Sequence, residues 1–291
     1  MKTAVALLAT FLAVSAARAQ IQVELKFARL QYIAYEPVLA TVKITNLAGR
    51  DIELHDAEGE HWFGFEVTAG EGRLLAPERT VESEPPLRVE AGKTVTRKVN
   101  LTPLFPVQDL GAYHVRANIF FGDLHRFFYS QTKVFQVTDA RPIWQRTVGV
   151  PDGLPGAGGV RTYSLLSTRF PDHTKLYLRV EDKSSGAVYN TFPLGRVIAF
   201  DEPQAELDSA NTLHVLHCAG PRTWAYSHIG LNGQLLSRAT FMETKSRPRL
   251  ARSTAGSVAV KGGMVDAPVT PGARAAGPKL SDRPPTKPTD D

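Results

Sequence analysis

Alternation dominates the first half of the chain. Val23, Leu25 and Phe27 are separated by polar residues, as are Val38, Ala40, Val42 and Ile44. The same period of two runs through Phe63, Phe65 and Val67, and through Tyr113, Val115, Ala117, Ile119 and Phe121. Successive side chains of a strand point to opposite faces, so this period marks strands with one buried face. Breakers separate the runs: Pro37, Asn46 to Gly49, Gly70 to Gly72, Pro85-Pro86, Gly92, Pro103, Pro106 and Gly122-Asp123. No segment there carries the apolar i, i+3, i+4, i+7 stripe of a helix. Roughly seven to nine short strands punctuated by turns predict a two-sheet sandwich over residues 20–138.

Residues 139–160 read as a linker, ending in the Gly/Pro stretch from Val150 to Gly159. That stretch lacks the G-x-G-x-x-G spacing and the Lys-Ser/Thr of a phosphate-binding loop. Residues 161–245 then predict a smaller β domain with an internal repeat. Thr174 to Leu178 precedes Asn211 to Val215 by 37 residues, and Tyr189 precedes Tyr226 by the same offset. Asn232-Gly233 is a strong hairpin signal.

Asp109-Leu110-Gly111-Ala112-Tyr113-His114-Val115 resembles the segment entering the penultimate strand of immunoglobulin-like domains. The resemblance implies that the Tyr113 hydroxyl turns back onto the preceding backbone, with Asp109 and Gly111 shaping the corner. Val115 stands where a true immunoglobulin domain has cysteine, so no disulfide joins the sheets. Glu36-Pro37-Val38 to Leu47, with Val89 to Lys93, is similar to exported bacterial immunoglobulin-like modules, and the whole also resembles sandwiches of the BsuPI proteinase-inhibitor type. The second region resembles a pair of β-propeller blade repeats, although a closed propeller needs roughly four to eight blades.

The ends of the chain change the picture. Lys2, the apolar run Ala4 to Val14 and Ala17-Arg18-Ala19 form the charge, short apolar core and small-residue site of a secretory leader, predicted to be removed after Ala19. The run of 11 residues is too short for a membrane span of about 20. Cys218 is the single cysteine, so the folded part is expected to hold together by packing. The net charge of +5 is misleading. The leader holds +2 and residues 245–291 hold +5, which leaves −2 for residues 20–244. A nucleic-acid-binding face is therefore not expected. Seven prolines and no aromatic residue after Lys245 predict a disordered tail over residues 246–291, able to tether weakly to anionic surfaces.

Candidate chemistry is sparse. His214 and His217, three apart on a strand, diverge to opposite faces. If Pro221-Arg222 forms the hairpin turn, His217 and His228 share a face, and they are the nearest approach to a metal pair. Two imidazoles fall short of the three protein ligands that a catalytic zinc usually takes. A carboxylate from Asp201, Glu202, Glu206 or Asp208 would have to complete the set. No metal, cofactor or catalytic residue is therefore assigned. His55, Glu58, Glu60 and His61 read as a solvated hairpin tip, and Cys218 as a small buried hydrophobe. Phe120 and Phe128, beside the Gly122-Asp123 turn, are candidate binding residues facing away from the core.

The expectation is an all-β chain: an immunoglobulin-like sandwich, a smaller β-sheet domain and a disordered tail. Its function is expected to be that of a non-catalytic exported protein, a scaffold for a protein or envelope-polymer partner. The alternatives are a proteinase inhibitor acting through loop 72–88, which holds Pro77, Pro85 and Pro86, and a hydrolase sited in the second domain.

Overall fold

The alternating runs of the first half are strands. The computed structural model describes residues 20–70, 72–78, 84–198 and 201–269. The expected leader, residues 79–83 of loop 72–88, and residues 270–291 of the expected tail lie outside the described residues. The chain is all-β and divides into two compact units, with the boundary between Ala140 and Arg141.

The first unit runs β1 (Ile21–Phe27), β2 (Gln31–Ile33), β3 (Leu39–Asn46), β4 (Ile52–Leu54), β5 (Phe63–Ala69), β6 (Arg73–Leu74), β7 (Leu87–Val89), β8 (Thr94–Asn100), β9 (Gly111–Phe121), β10 (Arg126–Tyr129) and β11 (Lys133–Thr138). One sheet has the order β1-β3-β8, the other β2-β11-β9-β5-β6 with β10 also on β9, and β4 pairs with β7. The apolar positions of the alternation meet in one core. Val23, Leu25, Val42 and Ile44 of the first sheet pack in the same cluster as Val67, Val115, Ile119 and Phe135 of the second. Asn46 ends β3 fully buried because its side chain replaces backbone partners. Its amide donates to the carbonyls of Arg50 and Val89, and its oxygen accepts from Ala48 N–H.

The second unit runs β12 (Arg141–Gly149), β13 (Val160–Arg169), β14 (Thr174–Asp182), β15 (Val188–Val197), β16 (Gln204–Leu207), β17 (Leu213–Gly220), β18 (Thr223–Ile229), β19 (Leu235–Met242), β20 (Arg249–Arg252), β21 (Val258–Lys261) and β22 (Met264–Val269). Two antiparallel meanders, β12-β13-β14-β15 and β16-β17-β18-β19-β22, share a core of Leu165, Leu176, Leu178, Leu213, Val215 and Ile229.

Two boundaries differ from expectation. The supposed linker 139–160 contains β12, whose residues pair with β13 from Arg141 to Gly149. Its apolar positions are few, but Val148 enters the core and Trp144 packs against it, and the ladder to β13 holds the rest. The supposed tail also contributes three strands. β20 and β21 form a hairpin, and β22 extends the second meander alongside β19. Lacking aromatics of its own, this segment uses those of the sheet: the Arg247 guanidinium lies 4.5 Å from the Trp224 ring centroid. Leu250 N–H donates to Gln204 Oε1 at 2.8 Å. The 37-residue repeat equates β14 with β17, which occupy the third place in one sheet and the second in the other.

Candidate functional site

The segment singled out at the corner of the first unit begins β9. Gly111 takes φ +140°, a region that a side chain disfavours, and opens the strand. Tyr113 then points into the core, stacked on Phe135 with centroids 5.2 Å apart. Its hydroxyl donates to the Asp109 carbonyl at 2.9 Å. Burial raises the phenol pKa, so the hydroxyl stays a donor at neutral pH.

The aromatic pair beside Gly122 is sorted differently from expectation. The register sets Phe127 against Phe120 and Phe128 against Ile119. Phe128 therefore joins the core with Ile119, and Phe127 and Tyr129 share the outer face with Phe120. A single-residue difference along β10 decides this, because neighbouring side chains alternate between faces. Phe120 is itself buried, with its ring 5.0 Å from that of Phe127. Tyr129 is exposed and carries the Arg116 guanidinium 4.3 Å above its ring.

On the other flank of the first unit, β1 pairs with β3 alone among the described residues. Leu47 N–H donates to the Gln20 carbonyl, which fixes the alternation of the ladder. The N–H and C=O groups of Ile21, Val23 and Leu25 accordingly point away from β3. They face a groove of about 720 Å³ lined on its far side by Tyr129, Gln131 and Lys133, with Leu47 at one end.

In the second unit the histidines fall into an arrangement that the sequence did not predict. A two-residue turn at Pro221-Arg222 without irregularity would set His217 and His228 on one face. The ladder instead shifts between Cys218 and Gly220, so Ala219 is an extra residue on β17. That bulge moves every residue before it to the opposite face relative to β18. His214 stands directly opposite His228, and His217 opposite Ala225. His217 and His228 are thus not a pair. His217 is fully buried on the inner face, and among the described residues neither ring nitrogen makes a well-formed hydrogen bond, the Arg196 backbone beside it only weakly favouring the charged form. Burial, then the nearby Arg238 charge, push its pKa down to about 4.

His214 and His228 stack with centroids 4.2 Å apart and planes 14° from parallel. The β16–β17 turn brings a carboxylate to them. Asp208 Oδ1 accepts from the Ala210 and Thr212 backbone N–H groups, which folds the turn back over β17. Asp208 Oδ2 lies 2.7 Å from Thr212 Oγ1 and 3.4 Å from His214 Nε2. Thr212 Oγ1 is also 2.7 Å from His228 Nε2, and Tyr226 Oη holds His214 Nδ1 at 2.7 Å. Ligand-type atoms of Asp208, His214 and His228 all lie within 4.8 Å of one another, the one such trio among the described residues. Burial lowers the pKa of His214, and burial with the neighbouring His214 lowers that of His228. Burial works against the Asp208 carboxylate, yet the hydrogen bonds from Thr212 and His214 outweigh it and lower its pKa. At neutral pH the trio is two uncharged imidazoles and one carboxylate. Tyr226 and Thr212 carried no signal in the sequence, because the register that brings them here depends on one bulge.

Of the other sequence candidates, only Glu206 comes near the trio. Asp201 pairs with Arg247, away from the trio. Glu206 lies opposite His214 on β16. His61 is tied to Asp56 and His125 to Glu58, which makes the 55–61 segment a braced hairpin tip. Cys218 has its pKa raised by burial and its thiol turned to the Gly220 carbonyl at 3.3 Å. That environment suppresses the thiolate, the reactive form.

No protein-family model matches the chain, and no curated protein matches it. Among solved structures, the sporulation control protein Spo0M from Bacillus subtilis aligns over 58% of this chain and 82% of its own length, with 9% identity and a TM-score of 0.27.

Proposed function

We propose that this chain is an exported, non-catalytic interaction protein. Its first unit, an immunoglobulin-like sandwich, takes up an extended segment of a partner polypeptide along β1. The observation that carries this reading is that β1 pairs with β3 alone among the described residues, which leaves its other edge open. Unpaired N–H and C=O groups at a sheet edge form a template for one more strand. The groove beside it leaves room for that strand, with Tyr129 and Leu47 as apolar contacts and Lys133 and Glu24 to select charge. Export rests on the leader pattern of residues 1–19.

A photo-crosslinking residue at Gln22, on the free edge, tests this against the same residue at Lys98, on the opposite edge strand β8. In the envelope fraction of cells making the full chain, the Gln22 variant is expected to give a discrete adduct that the Lys98 variant does not. In the isolated complex, the Val23 and Leu25 amides should be protected from hydrogen exchange. Equal labelling from both positions, or unprotected β1 amides in the adduct, would overturn the proposal. A mature protein that retains Met1 in the cytoplasm would remove the export half of it.

A further inference from the structure

We infer that Asp208, His214 and His228 form a binding site for a divalent transition-metal ion of the zinc class. The inference stands on the second unit alone and does not depend on strand addition at β1.

The donor set is the first argument. Imidazole nitrogens and a carboxylate oxygen are the ligands that zinc takes outside cysteine sites, and three such ligands leave one position open.

Placement is the second argument. Two histidines directly opposite one another on an antiparallel pair present their rings to the same side of the sheet, at a backbone separation that the ladder fixes. The carboxylate arrives on a turn locked by its own Oδ1, which leaves Oδ2 facing the rings. Separations of at most 4.8 Å are close to the span of two bonds of about 2.1 Å, but the two rings stack 14° from parallel, so each imidazole must turn about its own side-chain torsions before both lone pairs aim at one ion.

The surroundings are the third argument. Metal-bound histidines usually have their second nitrogen fixed by an outer partner. Tyr226 Oη occupies that role on His214 Nδ1, leaving Nε2 turned toward Asp208. Thr212 Oγ1 bridges Asp208 Oδ2 and His228 Nε2. An ion would take over this bridging role, with the threonine turning its hydroxyl aside. Bulges occur preferentially beside functional sites, where they re-aim side chains. The Ala219 bulge is what brings His214 opposite His228.

The test uses the full chain stripped with a chelator and then titrated with zinc and, separately, with cobalt(II). One ion per chain is expected, with a visible cobalt spectrum of nitrogen and oxygen ligation and a raised melting temperature. His228→Gln should abolish retention of the ion on gel filtration. Tyr226→Phe keeps the ring and removes only the outer partner of His214, so it should weaken binding roughly 10–100-fold. It serves as the readout if His228→Gln does not fold. His173→Gln alters a histidine paired with Asp172 elsewhere in the unit and should leave binding unchanged. Failure of the wild-type chain to retain zinc would overturn the site. Affinity unaltered in His228→Gln, or unaltered in Tyr226→Phe where His228→Gln is unfolded, would do the same, as would loss of binding on His173→Gln.

Discussion

The two units are built from the same alternation of side chains, but their ladders run differently. In the first unit every ladder keeps one register over the described residues, from Ile21 opposite Asn46 to Phe27 opposite Ala40 on β1–β3, for example. In the second unit five ladders carry shifts, at Pro142/Trp144, twice along β14–β15, at Cys218/Gly220, at His228/Ile229 and at Thr240/Phe241. An unbroken ladder makes each face a direct consequence of sequence parity. A bulge inverts parity for everything on one side of it. The candidate metal ligands lie in the unit with the bulges, and the candidate edge lies in the unit without them.

The largest effect is expected from removing the bulge. Deleting Ala219 forces β17 either to abandon the Pro221-Arg222 turn or to turn Leu213, Val215 and His217 out of the core. The expected loss exceeds about 5 kcal/mol, or the second unit does not fold, because several buried side chains move together. The Tyr113 ring environment in the first unit should be unchanged, which NMR of the deletion variant would show. A second unit that stays folded with His214 still facing His228 would break the contrast between the units.

The same contrast explains what was legible. In the first unit the runs of β1, β3, β5 and β9, the breakers between them and the inward set Tyr113, Val115, Ala117 and Ile119 follow from period and turn residues alone. The two- and three-residue strands β2, β4, β6 and β7 are too short to show a period, β8 has no buried face, and Phe128 lies in a four-residue strand too short to declare its own parity. In the second unit the histidines were visible, but their pairing was assigned from turn residues that do not reveal a bulge two positions away. Asp208 was visible as one acid among four. Its turn toward the histidines depends on backbone hydrogen bonds to Ala210 and Thr212. The strands after Lys245 are hard to read from sequence because β22 is held by pairing with β19 and β20 with β21 by pairing with each other, with Val258 as their one buried apolar side chain among the described residues.

The first unit has its own weak point, a buried charge. The Glu36 side chain is almost wholly enclosed and accepts from Arg29 at 2.6 Å and from Ile33 N–H at 3.2 Å. Arg29→Ala would leave that carboxylate inside without its cation. A loss of about 3–5 kcal/mol is expected by chemical denaturation, confined to the first unit. Arg29→Ala combined with Glu36→Gln should recover part of it. A loss within about 0.5 kcal/mol would mean that the pair behaves as a surface bridge.

Acid should separate the units next. His217 is held neutral by burial and by Arg238, with its pKa near 4, whereas in the unfolded chain it titrates near 6.5. Below about 6.5 the unfolded state binds the proton and the folded state does not. The stability present above that pH is therefore lost as pH falls toward 4, by about 3 kcal/mol over the window. The lowered values of His214 and His228 act in the same direction. Melting of the second unit between pH 7 and pH 4 should show this slope, and His217→Leu should flatten it. A slope unchanged in that variant would assign the acid sensitivity to the outer pair.

The smallest effects, and the finest comparison, come from one tyrosine in each unit. Tyr113 and Tyr163 are both buried, and each donates to a backbone carbonyl, Asp109 at 2.9 Å and Asn211 at 3.0 Å. Burial raises both phenol pKa values, so both remain donors over the accessible pH range. The partners differ in reach. Asp109 is four residues from Tyr113 in an exposed corner, so water can replace the lost hydroxyl. Asn211 is 48 residues from Tyr163 and takes φ +60° in the turn that carries Asp208 toward the histidines. Tyr113→Phe should cost about 0.5–1 kcal/mol, and Tyr163→Phe nearer 1.5 kcal/mol, because an acceptor that has lost its donor matters more where water reaches it less easily, and Asn211 is half-buried where Asp109 is exposed. Tyr163→Phe should also loosen the 208–212 turn and so weaken zinc binding in the second unit, an effect that Tyr113→Phe should lack. Equal stability losses, with zinc affinity untouched in both variants, would mean that the turn is held by Asp208 alone.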